Sequence, residues 1–261
     1  LGAAKLETIE RVMEESELLQ YKEGSRIYCT TEEVLEEEKR FIQFARDGRL
    51  AYAPFLKDPY TAVAYKLSDQ QKLAMVHILK SRDLVTAIRG KAGTGKTTMM
   101  QATIEALEAE GHVVKTFAPT SDAATNVLKK EGFDANTVQL LLKSEKLQKQ
   151  CAGCVIWIDE AGLLSSKQMA RLADLAEAND WRLILSGDTG QHSAVERGDA
   201  LRILETHGGL KAVELNKIYR QKEIVYNDAI QALSSGEVNE AFDKFEVMGT
   251  FIEAKGDTRA L

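Results

Sequence analysis

Eight consecutive residues, Gly90-Lys91-Ala92-Gly93-Thr94-Gly95-Lys96-Thr97, have the glycine spacing and the terminal lysine and hydroxyl of a loop that cradles phosphates. Glycines let the backbone curl so that successive N–H groups point inward at a polyphosphate, and a helix starting at the end of the loop adds favourable partial charge. The cradle is expected to use Gly90, Ala92, Gly93, Thr94, Gly95, Lys96, Thr97 and Thr98. Lys96 would reach the β- and γ-phosphates, and the Thr97 hydroxyl suits a magnesium ion. A second cluster, Trp157-Ile158-Asp159-Glu160-Ala161, sets two carboxylates at the end of an apolar run. There Asp159 falls near the magnesium position and Glu160 near the water that attacks the γ-phosphate. In a third, Leu185-Ser186-Gly187-Asp188-Thr189-Gly190-Gln191, the amide of Gln191 lies where ligands of open α/β sheets gather, and could sense the γ-phosphate. Together these residues predict a site for a nucleoside triphosphate and a magnesium ion, with hydrolysis as its chemistry.

Such clusters need a frame, and the intervening sequence supplies one. Leu84-Val85-Thr86-Ala87-Ile88 reads as a strand leading into the glycine loop, and 97–110 as the helix leaving it. Further strands are expected at 113–118, 154–158, 182–186 and 212–215, with helices near 121–131, 166–178 and 198–206. Short, continuously apolar strands alternating with helices argue for an α/β fold with a parallel sheet covered on both faces. The first 66 residues read differently, as two helices near 5–20 and 31–47 around a strand-like 26–29, with Thr30 or Thr31 as the second helix's N-cap. After Arg220 the chain reads as mostly helical, ending in a possible strand at 250–253.

With 261 residues the chain can bury a substantial core, and 44% apolar with 28% charged residues is ordinary for a globular protein. No apolar run approaches the ~20 residues of a membrane span, and no signal peptide opens the sequence, so a cytoplasmic location is expected. Three cysteines make no disulfide framework; Cys151 and Cys154 lack a second ligand pair and read as buried thiols. A net charge of −6 gives no global footprint for nucleic acid. A local groove can still hold a single strand by stacking and backbone contacts.

The order of phosphate loop, Asp-Glu-Ala, Gly-Asp-x-x-Gln and Leu215-Asn216-Lys217-Ile218-Tyr219-Arg220-Gln221 resembles that of superfamily 1 DNA helicases, most of all the RecD-like branch. Leu67-Ser68-Asp69-Gln70-Gln71 is similar to the family's upstream glutamine motif, which implies an adenine contact by Gln70 or Gln71, with Gln70 the better match to leucine, two residues, then glutamine. Ala118-Pro119-Thr120-Ser121 resembles the family loop that touches single-stranded DNA, and Thr137-Val138-Gln139 the short motif after it. The resemblance thus implies ATP and Mg2+ as the bound pair, and DNA contacts by Pro119, Thr120, Ser121 and Thr137. It makes Arg220 the arginine that steadies charge on the γ-phosphate. The flank from Tyr28 to Glu38 looks like the segment before the helicase part of conjugative relaxases of the TraI/TrwC/TraA kind.

Two departures narrow this. The four histidines, His77, His112, His192 and His207, are scattered, so no nicking centre is expected. The motifs of a second RecA-like domain are missing. The expected layout is therefore a helical extension over 1–66, a RecA-like motor domain over 67–221, and a helical connection over 222–261 toward a second RecA-like domain. The implied function is ATP-driven movement on single-stranded DNA, with the conjugation machinery as a further partner and weak hydrolysis by this chain alone. The rival is a helicase-like DNA-binding or recruitment module that unwinds little. The span from 141 to 153 leaves room for at most a small hairpin or helix-turn.

Overall fold

The computed structural model describes residues 11, 18–58, 67–91, 93–188, 197–216 and 224–247. Near its start, β1 (Leu19–Glu23) pairs antiparallel with β2 (Arg26–Thr30), with Tyr21 opposite Tyr28. The turn between them holds Gly24 at φ +59°, a conformation that hairpin turns use and that side chains resist. This corrects the helix expected over 5–20: its last residues, Leu19 and Gln20, lie in β1. Tight turn chemistry at Gly24-Ser25 and cross-strand aromatic pairing outweigh helical periodicity there. Arg11 is helical, and the rest of that expected helix lies outside the described residues. The second expected helix is present as α1 (Glu32–Asp47), with Thr31 as its N-cap, whose Oγ1 accepts a hydrogen bond from Val34 N at 3.3 Å.

Next in order come α2 (Asp69–Lys80), β3 (Val85–Gly90), α3 (Lys96–Ala109), β4 (Val114–Ala118), a π-helical stretch (Ala123–Leu128) and β5 (Ala135–Thr137). They are followed by α4 (Val138–Lys143), α5 (Glu145–Gln150), β6 (Val155–Ile158), α6 (Ser166–Asn179) and β7 (Arg182–Gly187). Then come α7 (Ala200–His207), β8 (Ala212–Leu215), α8 (Ile224–Ser234) and α9 (Val238–Val247). Strands β3 to β8 form one parallel sheet in the order β5-β4-β6-β7-β3-β8. The five strands expected for the sheet are all there; β5 is an addition, three residues without an apolar run that become a strand by pairing with β4. The expected helix at 121–131 is the π-helical stretch, and 141–153 falls in the short helices α4 and α5 and the turn after them. The possible strand at 250–253 lies outside the described residues.

Alternation within the buried strands divides the apolar residues between two cores. Ile156, Ile158, Leu183 and Leu185 face one, with Leu172 and Ala173 of α6 and Leu201 of α7. Val155, Trp157, Ile184 and Ile88 face the other, with Met75 and Ile78 of α2 and Met99 of α3. Helices therefore cover both faces, as continuous apolar strands require. α1 belongs to the first core through buried Phe41, Phe44 and Ala45, and Arg40 adds ion pairs to Asp174 and Glu177 of α6.

At the amino edge of the sheet, Arg182 is buried, and its guanidinium lies 3.5 Å from the Phe55 ring centroid. It donates to the carbonyls of Ala53, Ser81 and Asp83, fastening residues near 53–55 to the sheet. Burial lowers its pKa to about 10. Cys151 and Cys154 are both buried free thiols, and burial pushes Cys151 up to about 11.

Candidate functional site

All strands of a parallel sheet end on one edge, so the loops after β3, β6 and β7 converge there. β3 runs into the glycine loop, where Gly93 (φ +81°) and Gly95 (φ +73°) take backbone conformations that side chains resist. The buried Thr94 hydroxyl donates to Lys91 O at 2.8 Å and closes the loop on itself. Lys96 opens α3, whose N-cap Gly95 brings no side-chain cap. The first N–H groups of α3, those of Lys96, Thr97 and Thr98, are therefore left for an anion. Gly90 ends β3, buried against Leu215 and Thr94, and Ala92 lies outside the described residues.

Three strands build the charged centre. Lys96 Nζ lies 2.8 Å from Asp159 Oδ1, just past β6, and both side chains are largely buried. The same Oδ1 accepts from Ser186 Oγ of β7 at 2.8 Å, and Ser186 Oγ accepts from Trp157 Nε1 at 2.9 Å. Because β7 stands between β3 and β6, Ser186 can support the carboxylate from the side. Asp159 thus has a fixed orientation and a cation beside it. A carboxylate held in this way suits a divalent ion, with Lys96 released to phosphate oxygens.

Glu160 is half-buried and adopts φ +57°, a strained conformation for a non-glycine residue of the sort found at functional sites. Burial raises its pKa, Asp159 and Asp122 add to the rise, and Lys96 opposes it. A carboxylate with raised basicity beside the charged centre can hold and polarise a water molecule.

Beside this centre, the register Ala118↔Thr137 carries the residues after β4 and the end of β5 to the same edge. Pro119, Thr120, Ser121 and Thr137 are therefore brought together. Thr120 and Ser121 are exposed, and Pro119 and Thr137 half-buried. Two of their hydroxyls already have structural duties: Thr120 Oγ1 accepts from Ala123 N at 3.1 Å, and Thr137 Oγ1 caps α4 from Leu140 N at 3.2 Å. Gln191 and Arg220 lie outside the described residues.

The two glutamines separate. Gln70 is half-buried, and its Oε1 accepts from Asn216 N at 3.1 Å, just past β8. Gln71 is buried and turns under the glycine loop, donating from Nε2 to Gly95 O at 2.9 Å and Thr94 O at 3.4 Å. Sequence reasoning gave Ser186 and Trp157 no role. The available signal was a lone hydroxyl in the buried run Leu183-Ile184-Leu185-Ser186, since a buried hydroxyl must find a partner. Lys91 also reaches beyond the loop, donating from Nζ to Ser234 Oγ at the end of α8, 2.9 Å away.

Comparison with known proteins places these features in context. A family model described as "AAA domain" matches residues 66–256. A "Probable conjugal transfer protein TraA" of Sinorhizobium fredii is 35% identical over 192 residues, covering 73% of this chain and 17% of that protein. The "Multifunctional conjugation protein TraI" of Escherichia coli K12 is 28% identical over 221 residues, covering 81% of this chain and 12% of that protein. An "ATP-dependent RecD2 DNA helicase" of Deinococcus radiodurans is 30% identical over 173 residues, covering 64% and 23% respectively. The chain thus spans less than a quarter of the length of each of these relatives.

Proposed function

Since the chain belongs to the AAA domain family and is related to conjugative relaxase-helicases, we propose that it is the ATP-hydrolysing motor domain of such a protein, driving movement along single-stranded DNA. The observation that carries this reading is the buried set Lys96, Asp159 and Ser186 at the mouth of the glycine loop, with Glu160 next to it.

In this reading the glycine loop and the first N–H groups of α3 take the phosphates, and Lys96 leaves Asp159 for the β- and γ-phosphates. Thr97 and Asp159 would hold magnesium, which would supply charge neutralisation on the phosphate oxygens. Glu160 orients the attacking water and draws its proton. Gln70 contacts the adenine, while Gln191 and Arg220 respond to the γ-phosphate. Pro119, Thr120, Ser121 and Thr137 touch single-stranded DNA within reach of Asp122, which the charge of Glu160 already feels. A second RecA-like domain would complete the motor, and its closure on ATP would advance the strand.

The test is ATP turnover by this chain, with and without single-stranded DNA, beside a Lys96→Ala variant. Slow turnover that rises with DNA and disappears in Lys96→Ala is expected. Turnover indifferent to DNA would remove the nucleic-acid part of the reading, and absence of nucleotide binding would remove all of it.

A further inference from the structure

Ser166, the first residue of α6, is where three stretches of chain meet: α1, the segment that begins at Glu160, and the residues that lead into α7. We propose that Glu37 and Glu38 of α1, together with Arg197, are positioning residues that clamp this junction and so hold Glu160 in place for hydrolysis. The clamp rests on the nucleotide reading above and deepens it.

From Glu160 onward the chain has little slack. Leu163 N donates to Glu160 O at 2.9 Å, and Leu164 N to Ala161 O at 3.1 Å. Ser165 then caps α6 reciprocally: its Oγ accepts from Gln168 N at 3.2 Å, and its N donates to Gln168 Oε1 at 3.1 Å. Ala161, Leu164, Ser165 and Ser166 are all buried. The end of β7 closes on the same segment, since a Cβ on Gly187 would lie 3.1 Å from Gly162 N, and one on Gly162 3.0 Å from Asp188 O. A short stretch bonded turn by turn and packed this closely moves as a unit, so a shift of Ser166 is passed back to Glu160.

The clamp grips Ser166 from two sides. Its Oγ donates to Glu38 Oε1 at 3.4 Å, and its N donates to Arg197 O at 3.3 Å. Gly198, at φ +101°, approaches so near that a Cβ there would collide with Ser166 Oγ. The Arg197 side chain turns back to α1, where Nη2 donates to both carboxylate oxygens of Glu37 at 3.2 Å, with Glu33 3.6 Å away. Adjacent carboxylates of one helix thus hold Ser166 directly and Arg197 by its side chain, while Ser166 and Arg197 hold each other. Buried Phe41 anchors that helix in the core, so the carboxylates have a fixed base. The flank from Tyr28 to Glu38 ends in this pair. Arg197 is exposed, and ion pairs of exposed arginines add little stability. What the clamp contributes is where the chain is placed.

Single-turnover hydrolysis and equilibrium binding of Mg-ATP by the whole chain separate placement from affinity. Arg197→Ala should slow hydrolysis by roughly tenfold, since small misplacements at a reacting centre are costly. Its Mg-ATP dissociation constant should stay within about twofold of wild type, and its Tm within ~3 °C. Exchanging the pair, Glu37→Arg with Arg197→Glu, should restore most of the lost rate. Arg40→Ala severs the ion pairs of α1 to Asp174 and Glu177, which do not involve Ser166, and should hydrolyse as the wild type does. Glu37→Met keeps length without an acceptor and serves if Arg197→Ala does not fold; it should slow hydrolysis to a similar extent. The clamp is overturned if Arg197→Ala or Glu37→Met, once folded, hydrolyses at the wild-type rate, if the exchanged pair stays slow, or if Arg40→Ala is slowed as much. Loss of rate matched by loss of Mg-ATP affinity also overturns it. A wild type that binds Mg-ATP without hydrolysing it removes the clamp and leaves nucleotide binding standing, whereas one that binds no Mg-ATP removes both.

Discussion

At the scale of single residues the site is organised by charges kept from water. Asp159 is accommodated because Lys96 and Ser186 both meet its Oδ1, and removing one partner of a buried pair leaves a desolvated charge. For Glu160, burial is the first cause of its raised pKa, with Asp159 second. A carboxyl whose pKa is higher folded than unfolded favours folding in its protonated form, and that contribution is lost as pH rises through the folded value. At neutral pH the ionised Glu160 therefore weakens the fold. Glu160→Gln should raise Tm by ~2 °C at pH 7.5, with the gap closing as pH falls below the ordinary value of 4.5. Thermal melts across that range would show it, and a gap that widened in acid would contradict the assigned cause. The same variant should slow hydrolysis by roughly 10²-fold or more while still binding ATP.

Among the elements, α1 shows most clearly how a segment outside the motifs enters the core of the sheet domain. Its sequence carries Phe41, Phe44 and Ala45 on one face, and these close the core over α6 and α7. The outer rim of the helix is tied by Arg40 to Asp174 and Glu177, and by Glu37 to Arg197. Exposed ion pairs of this kind add little, so the aromatic residues carry the attachment. Phe41 is 1% exposed, and Phe41→Ala should destabilise the protein by about 3–5 kcal/mol in urea unfolding. A loss below ~1 kcal/mol would mean that α1 is an appendage rather than part of the core. The hairpin β1–β2 is the opposite case: both strands are exposed almost throughout, and among the described residues they make no contribution to either core.

For the molecule as a whole, the arrangement predicts linkage between ligand and stability. A nucleotide that ties α2, α3 and the residues after β6 together binds the folded state alone. At a hundred times its dissociation constant it should add about 2.7 kcal/mol, or roughly 5–10 °C in Tm for a chain of this size. Differential scanning with Mg-ATP should show that rise in the wild type and none in Lys96→Ala. An equal rise in both would place binding elsewhere than the glycine loop. Among the described residues no helix is long and apolar enough to cross a membrane.

The sequence by itself determined where the glycine loop and the carboxylate pair lie and most of the frame that carries them. The glycine loop, Asp159-Glu160 and the strands that carry them are local patterns, because a phosphate cradle needs consecutive backbone groups and a buried strand needs consecutive apolar residues. Only the tertiary structure decided who supports them. Ser186 reaches Asp159 because the crossover connections insert β7 between β3 and β6, and no local pattern encodes that order. Gln71 meets Thr94 and Gly95 across more than twenty residues because α2 packs beside α3. β5 exists by pairing and not by propensity, and the hairpin prevails over a helical reading because its turn is strongly favoured. Contacts between residues distant in sequence are set by packing and connection, and they chose which of two adjacent glutamines lies beneath the loop.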